Sequence, residues 1–343
     1  MTHSPTALPR ETELPPGLPT GLRIGSMALP SPVLLAPMAG FTDLPFRDLV
    51  RDRGGLGLGC TEMIRPGGLL YGREKKKQWI LATSPQDTPL GWQIYGKEPA
   101  MMAEAARWLQ DHGAPLIDLN MGCPQKKIAS RGAGAGLLKT PDLAVEIAER
   151  VVNAVSVPVT AKIRLGWDPG RLVGLELGRR LADTGIAALT VHGRTASQGY
   201  SGEADWAAIA AIAASLPGLP VIGNGDINNA ALGAARLAGS GCAAIMIGRA
   251  VLRNPWIIRD TARAAAGFPP LPPPGKAEVL ALAMRHFDMH CALYGELKGP
   301  VLFRKWIPLY WRALLKMEKP AMVKLLTLAG PGELRNALAS IPV

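Results

Sequence analysis

Cysteine is scarce in this chain of 343 residues, and its four cysteines lie far apart. None of them forms a Cys-x-x-Cys pair, so the sequence predicts neither a zinc site nor a disulfide framework, and we expect no bound metal. Isolated thiols are typical of a reducing compartment, and we therefore expect a cytoplasmic protein. The positions are Cys60, Cys123, Cys242 and Cys291.

Long apolar runs are also missing. No segment approaches ~20 consecutive apolar residues, so no membrane-spanning helix is predicted. The N-terminus lacks a basic segment followed by an apolar run, which argues against a secretory signal peptide. Residues 1–22 are rich in proline and are predicted to form a poorly ordered leader, to which we assign no function.

Acidic residues are outnumbered, with 27 Asp and Glu against 38 Lys and Arg, which gives a formal net charge of +11. Residues 271–343 carry +5 of this charge, so the C-terminal region is the denser positive part. A surface of this kind attracts polyanions, and both nucleic acid and an anionic membrane are candidate partners. The low aromatic content of 5% and the apolar content of 48% are otherwise typical of an ordinary α/β protein.

Short apolar runs alternate with Ala- and Leu-rich helical stretches between residues 23 and 265. This alternation is typical of βα units in a parallel sheet, and eight units suit a (β/α)₈ barrel. We predict a TIM barrel over residues 23–265, with an open doubly wound sheet as the alternative, because periodicity alone cannot close a barrel. The eight runs span 33–38, 56–63, 90–96, 114–122, 157–165, 186–193, 219–225 and 242–248.

The pattern changes after the eighth unit. The segment "GFPPLPPPG" (267–275) indicates a stiff linker, which we place at residues 266–275. Beyond it, Leu280, Met284, Phe287 and Cys291 recur at helical spacing. Residues 276–343 are therefore predicted to form a small all-helical domain.

Functional side chains of such barrels gather at the carboxyl ends of the strands. The glycine-bearing segments "GNGD" (223–226) and "IGR" (247–249) suit a phosphate there, although a plain turn is the alternative. Side chains able to bind a ligand are found at the ends of all eight strands. They are Met38, Glu62, Gln93, Asn120, Cys123, Lys162, Arg164, His192, Arg194, Asn224, Asp226 and Arg249.

Three residues carry a chemical and a structural interpretation side by side. Lys162 lies in an apolar run and either reaches solvent or stabilises negative charge on a reduced cofactor. His192 is either a satisfied buried histidine or a ligand contact. Cys123 follows a glycine, with Lys126 and Lys127 close behind, which favours a reactive thiol over a small core residue. The basic run "REKKKQW" (73–79) is either a solvated loop or part of a track for RNA phosphates.

Five blocks give the chain a family resemblance, which runs from about residue 30 to 260. "NMGCPQKK" resembles the catalytic-cysteine loop of the tRNA-dihydrouridine synthases, and "HGRTASQGYSGEADW" resembles their sixth-strand block. "LAPMAGFTDLPFR" is similar to their first-strand motif, while "VIGNGDI" and "AIMIGRAVLRNPWI" are similar to their flavin-phosphate segments. The C-terminal helices are less well matched.

The resemblance implies a TIM barrel that holds FMN, NADPH as the reductant, and a helical domain that helps to bind tRNA. Cys123 would be the proton donor, with Asn120 and Arg164 near the uracil. Hydride would add at carbon 6 and a proton at carbon 5, which reduces the double bond of a uridine flipped out of its stack. The flavin would be held by Pro37, Met38, Gln93, Lys162, His192, Asn224, Gly225, Asp226, Gly248 and Arg249.

Two other functions remain open at this point. One is an FMN-dependent reductase of a free pyrimidine, which the positive charge and helical tail disfavour. The other is a non-catalytic, flavin-containing RNA-binding protein. We expect a monomer, while the modified tRNA positions and the preference for NADPH over NADH stay undetermined.

Overall fold

The computed structural model describes residues 21–72, 79–315, 318–328 and 330–342. Residues 1–20 of the predicted leader and residues 73–78 of the basic run therefore lie outside the described residues. Among those described, no helix combines the length and apolar character needed to span a bilayer.

The described chain begins with a short hairpin that the sequence did not predict. Strand β1 (Arg23–Ile24) pairs antiparallel with β2 (Met27–Ala28), and the turn places Gly25 at a φ of +57°. A Cβ on Gly25 would lie 2.9 Å from the Pro158 side chain. Ile24 is fully buried in the cluster that fills the barrel interior. The hairpin thus covers the amino end of the barrel and leaves the carboxyl end as the open one.

Eight parallel strands form the sheet. In the sheet the strands follow the order of the chain, and the last strand pairs with the first. The seam is bridged where Leu34 pairs with Leu58, and the Leu35 amide donates to the Leu58 carbonyl at 3.0 Å. This bridge confirms the TIM barrel and excludes the open sheet. The strands are β3 (Val33–Leu35), β4 (Gly59–Cys60), β5 (Leu90–Ile94), β6 (Ile117–Met121), β7 (Val159–Arg164), β8 (Ala188–His192), β9 (Val221–Asn224) and β10 (Ala244–Ile247).

Helices surround the barrel and bury their apolar faces against the strands. Several begin at predictable signals, because Pro99 and Pro141 occupy first turns, and the Asp43 carboxylate caps a helix by accepting from the Phe46 amide. The helices are α1 (Leu44–Asp52), α2 (Pro66–Leu70), α3 (Pro99–Asp111), α4 (Lys126–Ala129), α5 (Pro141–Val152), α6 (Gly174–Asp183), α7 (Trp206–Ala214), α8 (Ala230–Gly239), α9 (Arg249–Arg253) and α10 (Ile257–Ala265).

The C-terminal region is helical, as predicted. Residues 268–275 form neither helix nor strand, and the division of the chain at this linker stays a prediction. The Trp306 ring stacks on Phe46 of α1 with centroids 4.6 Å apart, so these helices pack on the barrel. They are α11 (Lys276–Tyr294), α12 (Gly299–Phe303), α13 (Ile307–Tyr310), α14 (Lys319–Thr327) and α15 (Pro331–Ala339), with a 3₁₀ turn at Arg304–Trp306 and a π-helical turn at Trp311–Leu315.

Candidate active site

Strand register brings the predicted polar side chains to one level of the barrel. His192 at the end of β8 pairs with Arg164 of β7 on one side and with Asn224 of β9 on the other. Between the neighbouring strands β6 and β7, Asn120 pairs with Lys162. Because parallel strands in a barrel all end at the same rim, these residues converge on its open carboxyl end, which we call the mouth.

The loop that carries Cys123 is held at the mouth by side chains from two strands. The Asn120 Oδ1 accepts hydrogen bonds from the backbone amides of Gly122, at 3.2 Å, and Cys123, at 3.0 Å. Arg164 Nε donates to the Gly122 carbonyl at 2.9 Å. The Cys123 carbonyl in turn accepts from the Ala135 amide at 3.0 Å. The position of the thiol is therefore fixed by the barrel and not by the loop alone.

Gly134 allows this close return of the chain. Its φ is +56°, and a Cβ there would lie 2.9 Å from the Cys123 carbonyl oxygen. Any other residue would both strain the backbone and push the Cys123 loop away.

The Cys123 thiol is half-buried, and burial raises its pKa above 9.0. The Gln125 amide and the positive charges of Arg164 and Lys162 oppose this shift without cancelling it. The thiol is consequently protonated at neutral pH. The charges of Arg164 and Lys162 do not make it a thiolate, because loss of solvation outweighs them.

A buried hydrogen-bonded chain supports Asn120 from below. Asn120 Nδ2 donates to Gln93 Oε1 at 2.9 Å, and Gln93 Nε2 donates to Asp118 Oδ2 at 2.6 Å. Thr160 adds a bond to the other Asp118 oxygen, also at 2.6 Å. Burial raises the pKa of Asp118 against the lowering effect of these bonds. The sequence interpretation missed Asp118, although its position two residues before Asn120 on the same face of β6 signals it.

Lys162 and His192 continue the polar side chains onto the next two strands, β7 and β8. Lys162 Nζ donates to Asn224 Oδ1 at 3.0 Å, and Asn224 Nδ2 donates to the Met246 carbonyl at 2.7 Å. Burial, helped by the charge of Arg164, lowers the pKa of Lys162 to about 8. Burial and the surrounding cations also lower the pKa of His192, so its imidazole is neutral.

Two glycines lie at the rim next to these residues. Gly225 has a φ of +132°, and a Cβ there would come 2.6 Å from Ala204 Cβ and 3.1 Å from His192 Cδ2. A Cβ on Gly248 would lie 3.9 Å from the sulfur of Met38, which together with Pro37 follows β3 and is half-buried. Glycine at 225 is therefore required by the packing and by the positive φ, whereas Gly248 leaves the backbone beside Met38 without a side chain over it.

Asp226 organises the charge at this rim. Its carboxylate accepts two hydrogen bonds from Arg194, at 2.8 and 2.6 Å, and one from the Ala204 amide at 2.8 Å. Burial by itself raises the pKa of Asp226, but these bonds and the charges of Arg194 and Arg249 lower it below 3.8. Arg249 lies 3.3 Å from the same carboxylate with its side chain 51% exposed, and it packs over the exposed ring of Tyr200 at 4.2 Å.

A cleft of about 520 Å³ opens next to the Cys123 loop. Lys126 and Lys139 line it, and the Lys139 ammonium lies 3.6 Å from the centre of the Trp167 ring. Neither Trp167 nor Tyr200 was predicted as a site residue. Both lie on loops after strands, where no periodicity marks an aromatic side chain as functional.

The fold and the mouth together define a class, an α/β-barrel enzyme with a cysteine on a fixed loop, a half-buried lysine and glycine turns around one open end. Comparison with known protein families places the chain within it. The family model described as dihydrouridine synthase (Dus) matches residues 34–322. The chain belongs to this family, whose members are flavin-dependent oxidoreductases that modify tRNA.

Individual relatives agree with this membership. The chain is 44% identical over 289 residues to tRNA-dihydrouridine synthase B of Xanthomonas campestris, covering 84% of this chain and 86% of that protein. It is 40% identical over 293 residues to the Pseudomonas aeruginosa protein of the same name, covering 85% and 87%. Among solved structures, the BexX/CysO complex of Amycolatopsis orientalis matches with a TM-score of 0.50 and 21% identity, over 75% of this chain and 99% of that chain. The last likeness concerns the fold alone.

Proposed function

We propose that this protein reduces specific uridines of tRNA to dihydrouridine, with FMN as the resident cofactor and NADPH as the reductant. The observation that carries the proposal is the loop of Cys123, whose backbone amide is bound at the mouth by the Asn120 side chain, with burial keeping the thiol in its protonated form. Family membership over residues 34–322 gives the reaction, and the geometry supports the roles of individual residues.

The residues at the mouth fit FMN. The two glycine turns suit a ribityl phosphate on backbone amides, because Gly248 has no side chain beside Met38 and Gly225 adopts a φ of +132°. Pro37 and Met38 would border the flavin ring, His192 would contact the flavin near the uracil, and Asn224 would help to enclose the phosphate. Bound FMN, reduced by NADPH, supplies the hydride that adds to carbon 6 of uracil.

Lys162 and Gln93 are suited to the polar edge of the flavin ring. Gln93 uses one N–H for Asp118, which leaves the second amide hydrogen for a ring acceptor. The Lys162 ammonium, half-buried and fixed on Asn224, offers a positive charge where negative charge develops on the ring.

Arg249 and Asp226 have different roles at the phosphate. Arg249 is half exposed and is the cation suited to contact the phosphate. The Asp226 carboxylate is engaged with Arg194, and a carboxylate repels a phosphate. We therefore assign Asp226 the role of a positioning residue, with Gly225 beside it supplying the close backbone approach.

The proton step belongs to Cys123. A neutral thiol holds the proton that must reach carbon 5 of uracil while hydride adds at carbon 6, so one proton and one hydride saturate one double bond. Arg164 and Lys162 stabilise the thiolate that remains until solvent returns a proton. Arg164 donates hydrogen bonds to the backbone carbonyls of Gly122, Thr195 and Gly199. Its role is therefore to position the loops around the uracil.

The tRNA contact is supported by charge. Lys126 and Lys139 line the cleft beside the Cys123 loop, and residues 271–343 carry +5. Phosphates of the strand on either side of a flipped uridine would pass over this cleft and toward the helical domain of residues 276–343. This basic surface favours tRNA over a free pyrimidine as the substrate.

The test is an assay of the purified protein with NADPH on two substrates, unmodified tRNA and free uridine. We expect flavin absorbance from the purified protein, dihydrouridine in the tRNA and no turnover of the nucleoside. Turnover of free uridine alone would establish the pyrimidine reductase instead. Bound flavin and tRNA binding without dihydrouridine would establish the non-catalytic RNA-binding protein.

A further inference from the structure

A second polar cluster lies where the loop after β3 meets the C-terminal helices. It consists of Asp43, which caps α1, and of His286 and His290, which are four residues apart on one face of α11. All three side chains are buried, with exposures of 2%, 0% and 0%. Their candidate ligand atoms lie within 4.8 Å of one another. The mechanism proposed above uses none of them.

Three of the four ring nitrogens of the two histidines have no hydrogen-bond partner among the described residues. Within the part of the chain that the structure describes, His286 Nε2 and both ring nitrogens of His290 are buried without a hydrogen bond. The nearest polar group to His290 Nε2 is the Asp43 carboxylate, 3.5 Å away. Leaving buried ring nitrogens unpaired is costly, so such nitrogens usually have a ligand, a water molecule or a metal ion.

The outer contacts of the cluster are those found around metal sites. His286 Nδ1 lies 2.8 Å from the Tyr310 hydroxyl, and a metal-bound His286 would donate its Nδ1–H to that oxygen and use the lone pair of Nε2 as the ligand. The Tyr294 hydroxyl donates to Asp43 Oδ2 at 2.8 Å, as second partners of ligating carboxylates commonly do. Aromatic rings of Phe46, Phe303 and Trp306 surround the histidines.

We propose that Asp43, His286 and His290 bind one divalent first-row transition ion, zinc in the first instance. Two imidazoles and one carboxylate are a common ligand set for such an ion, and a pair of histidines at i and i+4 on a helix is a usual way to present it. Ligands of tetrahedral zinc lie roughly 3.3–3.6 Å apart, which the separation of His290 from Asp43 already matches. Movement of the other ligand atoms by about 1 Å would complete the geometry.

The charge of the site is compatible with a cation. The Asp43 carboxylate is 2% exposed, and the groups that donate hydrogen bonds to it are uncharged, the Phe46 amide and the Tyr294 hydroxyl. The Lys305 ammonium is directed to the Gly40 carbonyl and to the rings of Phe41 and Trp306. A metal ion would supply the missing charge and tie α11 to α1. Its role is therefore to join the helical domain to the barrel.

The experiment measures metal content and thermal stability of the full chain, purified without a histidine tag and without chelator. We expect about one zinc per chain by mass spectrometry. After removal of metal with a chelator, added zinc should raise Tm by at least about 5 °C. Cobalt(II) added in place of zinc should give the visible bands of a four-coordinate ion with no thiolate-to-metal band.

Matched variants assign the response to this cluster. His290→Asn and His286→Asn should lose the rise in Tm, while His112→Asn, an exposed histidine on the barrel surface, should keep it. Cys123→Ser should also keep it, which removes the thiol at the mouth as the source. A metal-free preparation whose Tm responds to zinc only when His290 is present still supports the site. An equal response in wild type and His290→Asn overturns the proposal, as does wild-type protein that shows neither a Tm response nor cobalt bands.

Discussion

The side chain of Asn120 accepts a hydrogen bond from the backbone amide of Cys123 at 3.0 Å. A residue at the end of a barrel strand thereby fixes the main chain of the residue that carries the thiol. Asn120 is in turn bound by Gln93 of the neighbouring strand β5. The position of the Cys123 loop therefore depends on side chains in the interior of the barrel. This coupling makes several outcomes predictable.

Replacing Asn120 by alanine should lower kcat/KM for dihydrouridine formation about 10- to 100-fold. The Cys123 loop would lose the two hydrogen bonds from its backbone amides, and the thiol would move away from the position it needs for proton transfer. Steady-state assays on unmodified tRNA measure this. Flavin content should change little. Gln125→Ala, an exposed side chain in the same loop, is the matched control and should remain near wild type.

Replacing Cys123 by alanine should reduce the rate of the reductive step about 10²- to 10⁴-fold, the usual size of a general-acid contribution. Binding of tRNA and the flavin spectrum should persist. Cys242→Ala, at the amino end of the last barrel strand, should be fully active. Wild-type rates in Cys123→Ala would remove this residue from the mechanism.

The pH dependence of the reductive step follows from the direction of the Cys123 shift. Because its pKa is raised above 9.0, the thiol keeps its proton through neutral pH and loses it only in alkaline solution. Single-turnover rates should therefore fall in two stages in alkaline solution, around pH 8 as Lys162, whose pKa is about 8, loses its charge, and again above about pH 9 as Cys123 ionises. Cys123→Ser should be slow and should show only the first stage.

Asp226→Asn should lower Tm at neutral pH, because Arg194 is 2% exposed and loses the partner for its charge. The pKa of Asp226 is lowered by folding, so its stabilising effect is present above the unfolded value of about 3.8 and is lost as the pH falls through the folded value. The difference in Tm between wild type and variant should shrink below pH 3.8. A difference that stays constant from pH 7 to pH 3 would contradict the ion-pair explanation.

Removing both cleft lysines, in Lys126→Ala with Lys139→Ala, should raise KM for tRNA roughly tenfold and make binding less dependent on salt. NADPH oxidation without tRNA should be unchanged. Arg150→Ala on the exposed face of α5 is the control for loss of a single positive charge elsewhere on the barrel. Equal KM values in all three proteins would place the RNA on another surface.

The sequence predicted the barrel because eight apolar runs alternate with helices and each run is long enough to be a strand. It missed the hairpin at residues 23–28, since two-residue strands have no measurable periodicity. It also overestimated the second strand, predicted over residues 56–63, of which only Gly59–Cys60 are strand. Closure itself depends on the pairing of Leu34 with Leu58, a contact between distant segments.

By itself, then, the sequence determined which residues lie at the carboxyl ends of strands, because the period of a strand and its end are local properties. Cys123, Lys162 and the turns at Gly225 and Gly248 could be named on that basis and on the family motifs. The tertiary structure alone decided that Asp118 supports Asn120, that Asp226 is bound by Arg194, and that His286 and His290 meet Asp43 more than 200 residues away. Protonation states and ion pairs depend on burial and on neighbours from other strands, and neither can be read from the order of residues along the chain.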